Sequence, residues 1–271
     1  MDLERPAFAP DPSLSDAEMK ALQRDIARSA AFTDHLSFAP DDVTLAETLA
    51  LDAAQSGFGD GPVVAGVDQA FLPDEEVAVS AVVAIRDGRV VERAVGRAPL
   101  EIPYIPGLLA FREAGAIFDG VRALDVDPDL LVLDGSGRIH YRQAGIATHV
   151  GVAFDCPAVG VAKNLLCGEP RASLSEPLPE GARVPIEADD EVEAVSTAGE
   201  WPVVGHAYQS RQYDDPTSRH VNPLYVSPGH RVSAATTVEL VGALAAGYKL
   251  PEPTRLADAH ADAVTTRERQ D

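Results

Sequence analysis

Four polar residues in this chain of 271 residues stand at or just beyond the ends of short apolar runs. Asp68, Asp134 and Lys163 each follow such a run directly, and His230 follows a fourth run after a short loop. Continuous apolar runs of this length predict strands that are buried on both faces. Because open α/β sheets carry their chemistry at strand ends, the spacing predicts one site there.

A fifth polar residue suggests which chemistry this site performs. Glu113 lies on the apolar face of a predicted helix, together with Leu109 and Ile117. A carboxylate in that position needs a partner, and a metal ion or an arginine would serve. With Asp68 and Asp134 it forms an all-oxygen set that suits Mg²⁺ or Mn²⁺ and not zinc. Such clusters are typical of two-metal phosphodiester hydrolysis.

Each of these positions also has an ordinary structural explanation. Asp134 precedes Gly-Ser-Gly and could open a turn. Asp68 could cap a helix or form an ion pair, and Glu113 could pair with a neighbouring arginine. Lys163 could be a solvated strand end. Spacing alone therefore leaves a metal nuclease as one hypothesis among several, since many folds share acids at strand ends.

The segment Pro-Tyr-Ile-Pro-Gly precedes the predicted helix and is unusually stiff. Pro103 and Pro106 fix the backbone on either side of Tyr104 and Ile105, and neither proline can donate a backbone hydrogen bond. An aromatic and an aliphatic side chain are therefore held on an extended wedge. Gly107 then allows the backbone to turn from this wedge into the helix.

Four sequence blocks carry a resemblance to a known family. They are Ala-Gly-Val-Asp68; Pro-Tyr-Ile-Pro-Gly-Leu-Leu-Ala-Phe-Arg-Glu113; Asp134-Gly to Thr-His149-Val-Gly-Val with Gly-Val-Ala-Lys163; and Tyr-Val-Ser-Pro-Gly-His230. From about Val63 to Ala259 the chain resembles endonuclease V, a family that recognises deaminated purines, chiefly inosine, in nucleic acids.

The resemblance implies a fold, a reaction and a set of catalytic residues. The fold would be α/β and ribonuclease H-like, with a central mixed β-sheet flanked by helices. The reaction would be hydrolysis of the second phosphodiester bond 3′ to the lesion, which initiates repair. The residues implied for the magnesium site, where Mn²⁺ could substitute, are Asp68, Glu113, Asp134 and His230. Lys163 would act at the scissile phosphate or organise the nucleophilic water.

The resemblance also implies how the lesion is recognised. The wedge would insert beside the lesion while the deaminated base turns out into a pocket, which costs least for a weakly paired base. The residues implied for nucleic-acid binding are Tyr104, Ile105, Pro106, Gly107, Leu109, Gly135, His140 and Gly145. Tyr141 departs from the family pattern, since relatives usually carry a proline after the histidine.

The charge of the chain is far from neutral. The formal net charge is −21, the pI is near 4.6, and only three residues are lysine. This composition favours a protein adapted to concentrated salt, where a Debye length of about 3 Å at 1 M screens self-repulsion. An acidic mesophile protein is the alternative. We expect five arginines to form a basic track near the site, and binding to depend only weakly on salt. These are Arg112, Arg138, Arg142, Arg211 and Arg231.

The sequence predicts a cytoplasmic monomer with DNA containing deoxyinosine, or RNA, as its partner. The first residues lack the features of a leader, and no apolar run is long enough to span a membrane. The expected organisation is an N-terminal tail and helix over 1–40, one catalytic domain over 41–260 and a frayed tail over 261–271. Two rivals stay open, namely an inosine-specific endoribonuclease and a non-cleaving inosine-binding adaptor.

The secondary structure predicted from the pattern is mixed. Helices are expected from a cap at Ser15 to Ser29, over 43–54, from Gly107 to Leu124, over 144–154 and over 233–247. Strands are expected over 63–68, 77–85, 90–98, 130–134, 158–162 and 224–227, with a hairpin at Arg-Asp-Gly-Arg and an acidic surface excursion over 169–200.

Overall fold

The computed structural model describes residues 1–51, 59–72, 76–193 and 201–268. Its strands are β1 Val64–Leu72, β2 Val77–Arg86, β3 Arg89–Pro99, β4 Leu130–Asp134, β5 Ala158–Ala162, β6 Glu169–Pro170, β7 Arg183–Glu187, β8 Val203–Tyr208 and β9 Leu224–His230. Its α-helices are α1 Asp16–Ser29, α2 Leu109–Arg122, α3 Ile146–Phe154, α4 Ala234–Ala243 and α5 Glu252–Glu268.

One mixed sheet organises the molecule. Its strand order is β3-β2-β1-β4-β5-β9-β8-β7-β6. Strands β1, β4 and β5 are parallel to one another, and the strands outside this central trio pair antiparallel. The apolar runs that precede Asp68, Asp134 and Lys163 are these three central strands. Their carboxyl ends therefore lie at the same edge of the sheet, as the sequence predicts.

Helices cover the central part of the sheet on both faces. The side chains of Val67 and Leu133 pack against α2 and α3 in one apolar cluster. The neighbouring residues Val64 and Val132 point the other way, into a cluster that includes α4. Because side chains alternate along a strand, this parity places the side chains of Asp68 and Asp134 on the α4 and α5 face.

Local sequence signals explain several element boundaries. Ser15 caps α1 and forms a reciprocal capping box with Glu18. Asp87 and Gly88 both have positive φ in the β2–β3 turn, as expected for a tight hairpin. The hairpin, the central strands and the helices α1, α2, α3 and α4 are confirmed, with ends that differ by a few residues.

The predicted helix over 43–54 is wrong for the described residues 44–51, where the chain is not helical. The backbone N–H of Leu45 donates to Ala243 of α4, and that of Leu49 donates to the Glu252 carboxylate of α5. The apolar residues of this segment pack against the clusters beneath α4 and α5. The apolar residues of the segment are therefore spaced for this packing and do not indicate a helix. Residues 52–54 of the prediction lie outside the described residues.

Both predicted tails are ordered. Arg5 donates its backbone N–H to Ala153, and Phe8 packs on the core, so the N-terminal tail is packed against the rest of the chain. The frayed tail predicted from residue 261 is wrong as far as residue 268, because α5 continues to Glu268 and buries Ala261 and Thr265. Residues 269–271 lie outside the described part of the chain.

The acidic excursion is partly an edge of the sheet. Strands β6 and β7 extend the sheet beyond β8, and Ile186 is buried beneath them with Val204. The hairpin character expected for 169–200 is confirmed for the described residues, and residues 194–200 of that prediction lie outside them.

Candidate active site

Asp68 and Asp134 are neighbours at the edge where the parallel strands end. Val67 pairs with Leu133 in parallel register, so the two aspartates are the next residues along on adjacent strands. Asp68 is buried, and its carboxyl group is close enough to that of Asp134 for a hydrogen bond between them to raise the pKa of Asp68. Two carboxyl groups form such a bond only when one of them carries a proton.

A third aspartate joins this pair and was missed in the sequence. Asp258 lies on α5, and its side chain is close enough to Asp68 to add, through a hydrogen bond, to the rise in the pKa of Asp68. The helix comes this close because Gly66 has no side chain, since a Cβ there would lie 2.0 Å from the carbonyl carbon of Pro253. The helical spacing of Leu256, Ala257 and Ala261 after a proline signals the helix, but it does not mark Asp258 as a site residue.

The acids in this cluster resist ionisation. Burial, followed by the charge of Asp134, raises the pKa of Asp68 from 3.8 to about 8. Burial also raises the pKa of Glu113 to about 7, with Arg112 opposing the shift and Asp134 adding to it. Glu113 therefore approaches the aspartates from α2, on the other face of the sheet. A bound cation would favour the ionised forms of these acids and lower their pKa values.

One of the three lysines lies beside the acids, and a second lies near the first. The Lys163 Nζ atom lies 2.9 Å from Asp134 Oδ2. Its pKa is raised, because the hydrogen bond and charge of Asp134 and the charges of Asp68 and Asp258 outweigh the effect of burial. Lys249 lies close enough for the charge of Lys163 to add to burial in lowering its pKa. Lys249 was not predicted as a site residue.

His230 is not part of this cluster, contrary to the prediction. It pairs with Ala158 at the start of β5, whereas Lys163 follows the end of that strand. Five residues of strand separate the two positions by roughly 16 Å. The reason is that β9 runs antiparallel to β5, so the end of β9 lies at the opposite edge of the sheet.

His230 has a structural partner at that edge. Its Nδ1 atom accepts from the backbone N–H of Ala31 at 3.1 Å, so Nε2 carries the proton and donates to Asp155 at 3.1 Å. Arg5 and Arg231 also pair with Asp155. This cluster ties the N-terminal segment to α3 and β9.

The acids fit a hard divalent cation by their chemistry. The ligand atoms available are all oxygens, from Asp68, Glu113, Asp134 and Asp258. Burial and mutual repulsion raise the pKa values of Asp68 and Glu113, so these acids favour binding a proton in the absence of a cation. As the side chains stand, no group of three Asp, Glu, His or Cys residues within the described ranges is arranged to hold a metal ion.

A pocket opens beside the aspartates. Its cavity volume is about 90 Å³, which is smaller than the roughly 300 Å³ at the lower end of small-molecule sites, and it is partly open to solvent. Six of the eight residues predicted to bind nucleic acid line it, and Ile105 and Pro106 do not. The lining residues are Gln23, Tyr104, Gly107, Leu109, Ala110, Gly135, Ser136, His140, Ala144, Gly145, Ile146 and Leu166.

Two glycines lie so close to neighbouring atoms that a side chain at either position would change the shape of the pocket. Gly135 has a φ of +139°, and a Cβ there would lie 2.5 Å from the Ile146 side chain. A Cβ on Gly145 would lie 2.3 Å from the Ser136 carbonyl oxygen. Neither position admits a side chain without displacing backbone or α3. The pocket shape therefore depends on both glycines.

His140 forms part of the pocket wall as a neutral imidazole. Its Nδ1 accepts from the Arg142 backbone N–H, and its Nε2 donates to the Gly107 carbonyl oxygen at 3.1 Å. Burial, followed by the charge of Arg142, lowers the pKa of His140 to about 3. The ring therefore donates one fixed hydrogen bond and carries no charge at neutral pH.

The wedge residues differ in exposure. The Tyr104 side chain is 66% exposed at the mouth of the pocket. Ile105 instead packs with Met19, Leu108 and Phe111 in an apolar cluster. The prolines thus present the aromatic side chain to solvent, while the aliphatic one anchors the segment.

Three of the five arginines predicted to form a basic track are engaged in other contacts in the described structure. Arg142 is buried, and Arg138 stacks over Phe32 and donates to Gln143. Arg231 pairs with Asp155 at the opposite edge of the sheet. Arginine positions cannot be inferred from spacing, because the long side chain can serve a buried network or an ion pair equally well.

Comparison with known proteins gives the family. The endonuclease V family model matches residues 45–259. An endonuclease V from the haloarchaeon Halobacterium salinarum is 59% identical over 269 residues, covering 98% of this chain and all of that relative. The chain belongs to the endonuclease V family. It is therefore a nuclease that hydrolyses phosphodiester bonds, and nucleases of this kind generally depend on divalent metal ions.

Solved structures agree on the fold. An endonuclease V from Streptomyces avermitilis is 28% identical, with a TM-score of 0.71 over 99% of this chain and 100% of that one. An endonuclease V from Ciona intestinalis, in complex with a 24mer DNA containing an inosine followed by a ribo-adenosine, has a TM-score of 0.66. It is 22% identical and covers 93% of this chain and 98% of that one, so it shows the fold alone.

These findings confirm several predictions. The endonuclease V family, its haloarchaeal type and the ribonuclease H-like fold are as the sequence predicts. The acidic composition fits the haloarchaeal relationship. No helix in the described ranges combines the length and apolar character that a membrane span requires.

Proposed function

We propose that this endonuclease V recognises inosine in DNA and, with Mg²⁺, hydrolyses the second phosphodiester bond 3′ to it, initiating repair. One observation carries the proposal. Gly135, in the wall of the pocket, directly follows Asp134, in the carboxylate cluster. A base held in the pocket therefore places its own strand beside the acids, and the bond cleaved lies outside the pocket.

The catalytic roles follow from the positions of the side chains. Asp68, Glu113, Asp134 and Asp258 would hold the divalent ion, which supplies Lewis acidity to the phosphate and lowers the pKa of water. Lys163 is held beside Asp134 with half of its side chain exposed. Its ammonium group would stabilise the negative charge that develops on the phosphate. Mn²⁺ offers the same preference for oxygen ligands and would substitute.

Base selection follows from the pocket. Its walls of glycine and apolar side chains admit a flat base that has left the helix. A weakly paired base is extruded at the lowest cost, so inosine is favoured before any contact is made. Tyr104, exposed at the mouth, would fill the space that the base vacates. His140 and the glycines 107, 135 and 145 would bound the base.

The proposal extends to the organisation of the chain. Catalysis would belong to residues 41–260 as one unit, with residues 1–40 packed against it. A Phe8 carbonyl oxygen accepting from His149 Nε2 at 2.7 Å supports that packing. The enzyme would act in the cytoplasm as a monomer.

Support for DNA as the substrate comes from the complex of the Ciona relative with inosine-containing DNA. This support bears least on the alternative of an endoribonuclease with the same chemistry. The choice between RNA and DNA depends on contacts to 2′-hydroxyl groups. A non-cleaving adaptor is disfavoured, because recognition alone does not require four acids and a lysine at one sheet edge.

The test is a panel of end-labelled strands that carry one inosine or one adenosine at the same position. DNA duplexes, single-stranded DNA and RNA are incubated with Mg²⁺, Mn²⁺ or EDTA, from low to molar KCl. We expect one nick in the inosine strand, with 3′-hydroxyl and 5′-phosphate ends and no cleavage in EDTA. Faster cleavage of RNA would establish the ribonuclease instead. Inosine binding without cleavage in any metal would establish an adaptor.

A further inference from the structure

Gln23, on α1, stands outside the segment matched by the family model and yet lines the base pocket. Its side chain is 1% exposed. It occupies the apolar face of α1 between Met19 and Ile26, where a polar residue must find hydrogen-bonding partners.

Both ends of the Gln23 amide are used. The Nε2 group donates to the Gly107 carbonyl oxygen at 2.8 Å. The Oε1 atom accepts from Arg142 Nε at 2.6 Å. Gln23 therefore joins α1 to two other segments, the end of the wedge and the loop that follows β4.

The Gly107 carbonyl oxygen accepts three hydrogen bonds. Besides Gln23, it accepts from Arg142 at 3.0 Å and from His140 at 3.1 Å. A carbonyl oxygen has two lone pairs, so this one is fully engaged by protein groups. The network fixes the residue at which the backbone turns from the wedge into α2, with φ of +78°.

An outer ion pair fastens the same network. Glu193 accepts from Arg24 Nε at 2.6 Å, and Arg142 lies 3.8 Å from the same carboxylate. The acidic excursion thereby contacts α1 and the buried arginine together. Removal of Gln23 would leave Arg142 Nε without its acceptor and the Gly107 carbonyl with one donor fewer.

We propose that Gln23 is a positioning residue of the lesion-recognition site, which holds the wedge through the Gly107 carbonyl. The inference rests on the proposed function. Its consequence is specific, because the wedge is needed to separate a base from a paired and stacked duplex. A single strand requires little of that work. Loss of Gln23 should therefore impair cleavage of duplex inosine more than cleavage of single-stranded inosine.

The experiment compares single-turnover cleavage of one inosine strand, alone and in duplex, by the wild type, Gln23→Ala and Gln23→Glu. The glutamate keeps the shape and can accept from Arg142, but it cannot donate to Gly107. We expect both variants to cleave the duplex about tenfold more slowly, with a much smaller loss on the single strand. Thermal unfolding in the same buffer identifies any general loss of structure.

Ile26→Ala provides the matched control. Ile26 is fully buried on the same helix and belongs to an apolar cluster without the Gly107 network. It should leave the ratio of duplex to single-strand rates unchanged. Equal losses on the two substrates, wild-type rates in both Gln23 variants, or a matching shift in Ile26→Ala would each overturn the inference. A wild type that does not cleave inosine strands would instead overturn the proposed function.

Discussion

Lys163 Nζ lies 2.9 Å from Asp134 Oδ2, where two adjacent parallel strands end at the same edge of the sheet. The pair joins a half-exposed positive charge to one of the acids of the cluster described above. The structure thus places a group that can stabilise a phosphate directly beside groups that can hold a cation. This combination is what phosphodiester hydrolysis requires.

Lys163→Ala should slow cleavage without unfolding the protein. The side chain is half exposed, so its removal costs little packing. We expect the single-turnover rate to fall about 100-fold at saturating Mg²⁺, because a charge aimed at the phosphate is lost. Lys20→Ala, on α1, is the control and should match the wild type. A rate for Lys163→Ala within a factor of about two of the wild type would remove the lysine from catalysis.

Asp258→Asn should be as damaging as Asp68→Asn. Both residues belong to the carboxylate cluster, and the amide preserves shape while removing a charged ligand. We expect the rate of inosine cleavage to fall by about 100-fold or more, with a higher Mg²⁺ concentration needed for half-maximal rate. Asp262→Asn, exposed and one turn further along α5, tests whether position on the helix alone matters. Equal activity of Asp258→Asn and Asp262→Asn would exclude Asp258 from the site.

His230→Gln should retain nuclease activity. The amide can accept from Ala31 and donate to Asp155 as the histidine does, and neither partner belongs to the carboxylate cluster. We expect cleavage rates within about threefold of the wild type, since no metal ligand is changed. A loss as large as that of Asp134→Asn would restore His230 to the metal site and contradict the strand topology.

The same variant should make the protein less sensitive to acid. Burial lowers the pKa of His230 below 6.5, and the hydrogen bond with Asp155 opposes this only in part. The unfolded chain therefore takes up the proton first, so stability is full above pH 6.5 and is lost as pH falls below it. His140 and His149, with pKa values of about 3 and 4, act in the same direction.

Urea unfolding at constant molar KCl, between pH 7 and pH 5, measures this effect. The wild type should lose more stability over that interval than His230→Gln does. His220→Gln changes an exposed histidine and should follow the wild-type curve. Parallel curves for the wild type and His230→Gln would show that His230 does not contribute to the acid sensitivity.

Tyr104→Ala should impair lesion recognition in duplexes while leaving stability unchanged. The ring is 66% exposed, so it contributes little to folding. We expect cleavage of duplex inosine to fall about tenfold, since stacking of an aromatic ring on a base is lost. Trp201→Ala removes another exposed aromatic side chain as a control. An unchanged duplex rate for Tyr104→Ala would show that the wedge does not act through this ring.

The sequence identified the acids on the parallel strands because those strands are short, apolar and uninterrupted. Asp68 and Asp134 could be placed together from that pattern alone. The direction of a strand could not be predicted from the same pattern. The run before His230 has the same appearance as the others, but β9 is antiparallel to β5, which moves the histidine to the far edge of the sheet.

Asp258 and Gln23 were missed for a different physical reason. Asp258 lies in an acidic, polar stretch within a chain of 43 acidic residues, where one carboxylate has no distinguishing mark. Gln23 interrupts an apolar helix face, which indicates burial but not the partner. Their functional positions depend on how α5 and α1 pack on the sheet, and packing between distant segments is not encoded in local spacing.

The most direct test of the account is single-turnover cleavage of two DNA duplexes that differ only in inosine or guanosine at one position. The wild type and Asp134→Asn are compared in Mg²⁺ and after addition of EDTA. The account predicts one nick, two bonds 3′ to the inosine, by the wild type in Mg²⁺ alone, and none in the other three combinations of protein and metal or in the guanosine duplex. Equal cleavage of both duplexes, or cleavage by Asp134→Asn at the wild-type rate, would contradict it.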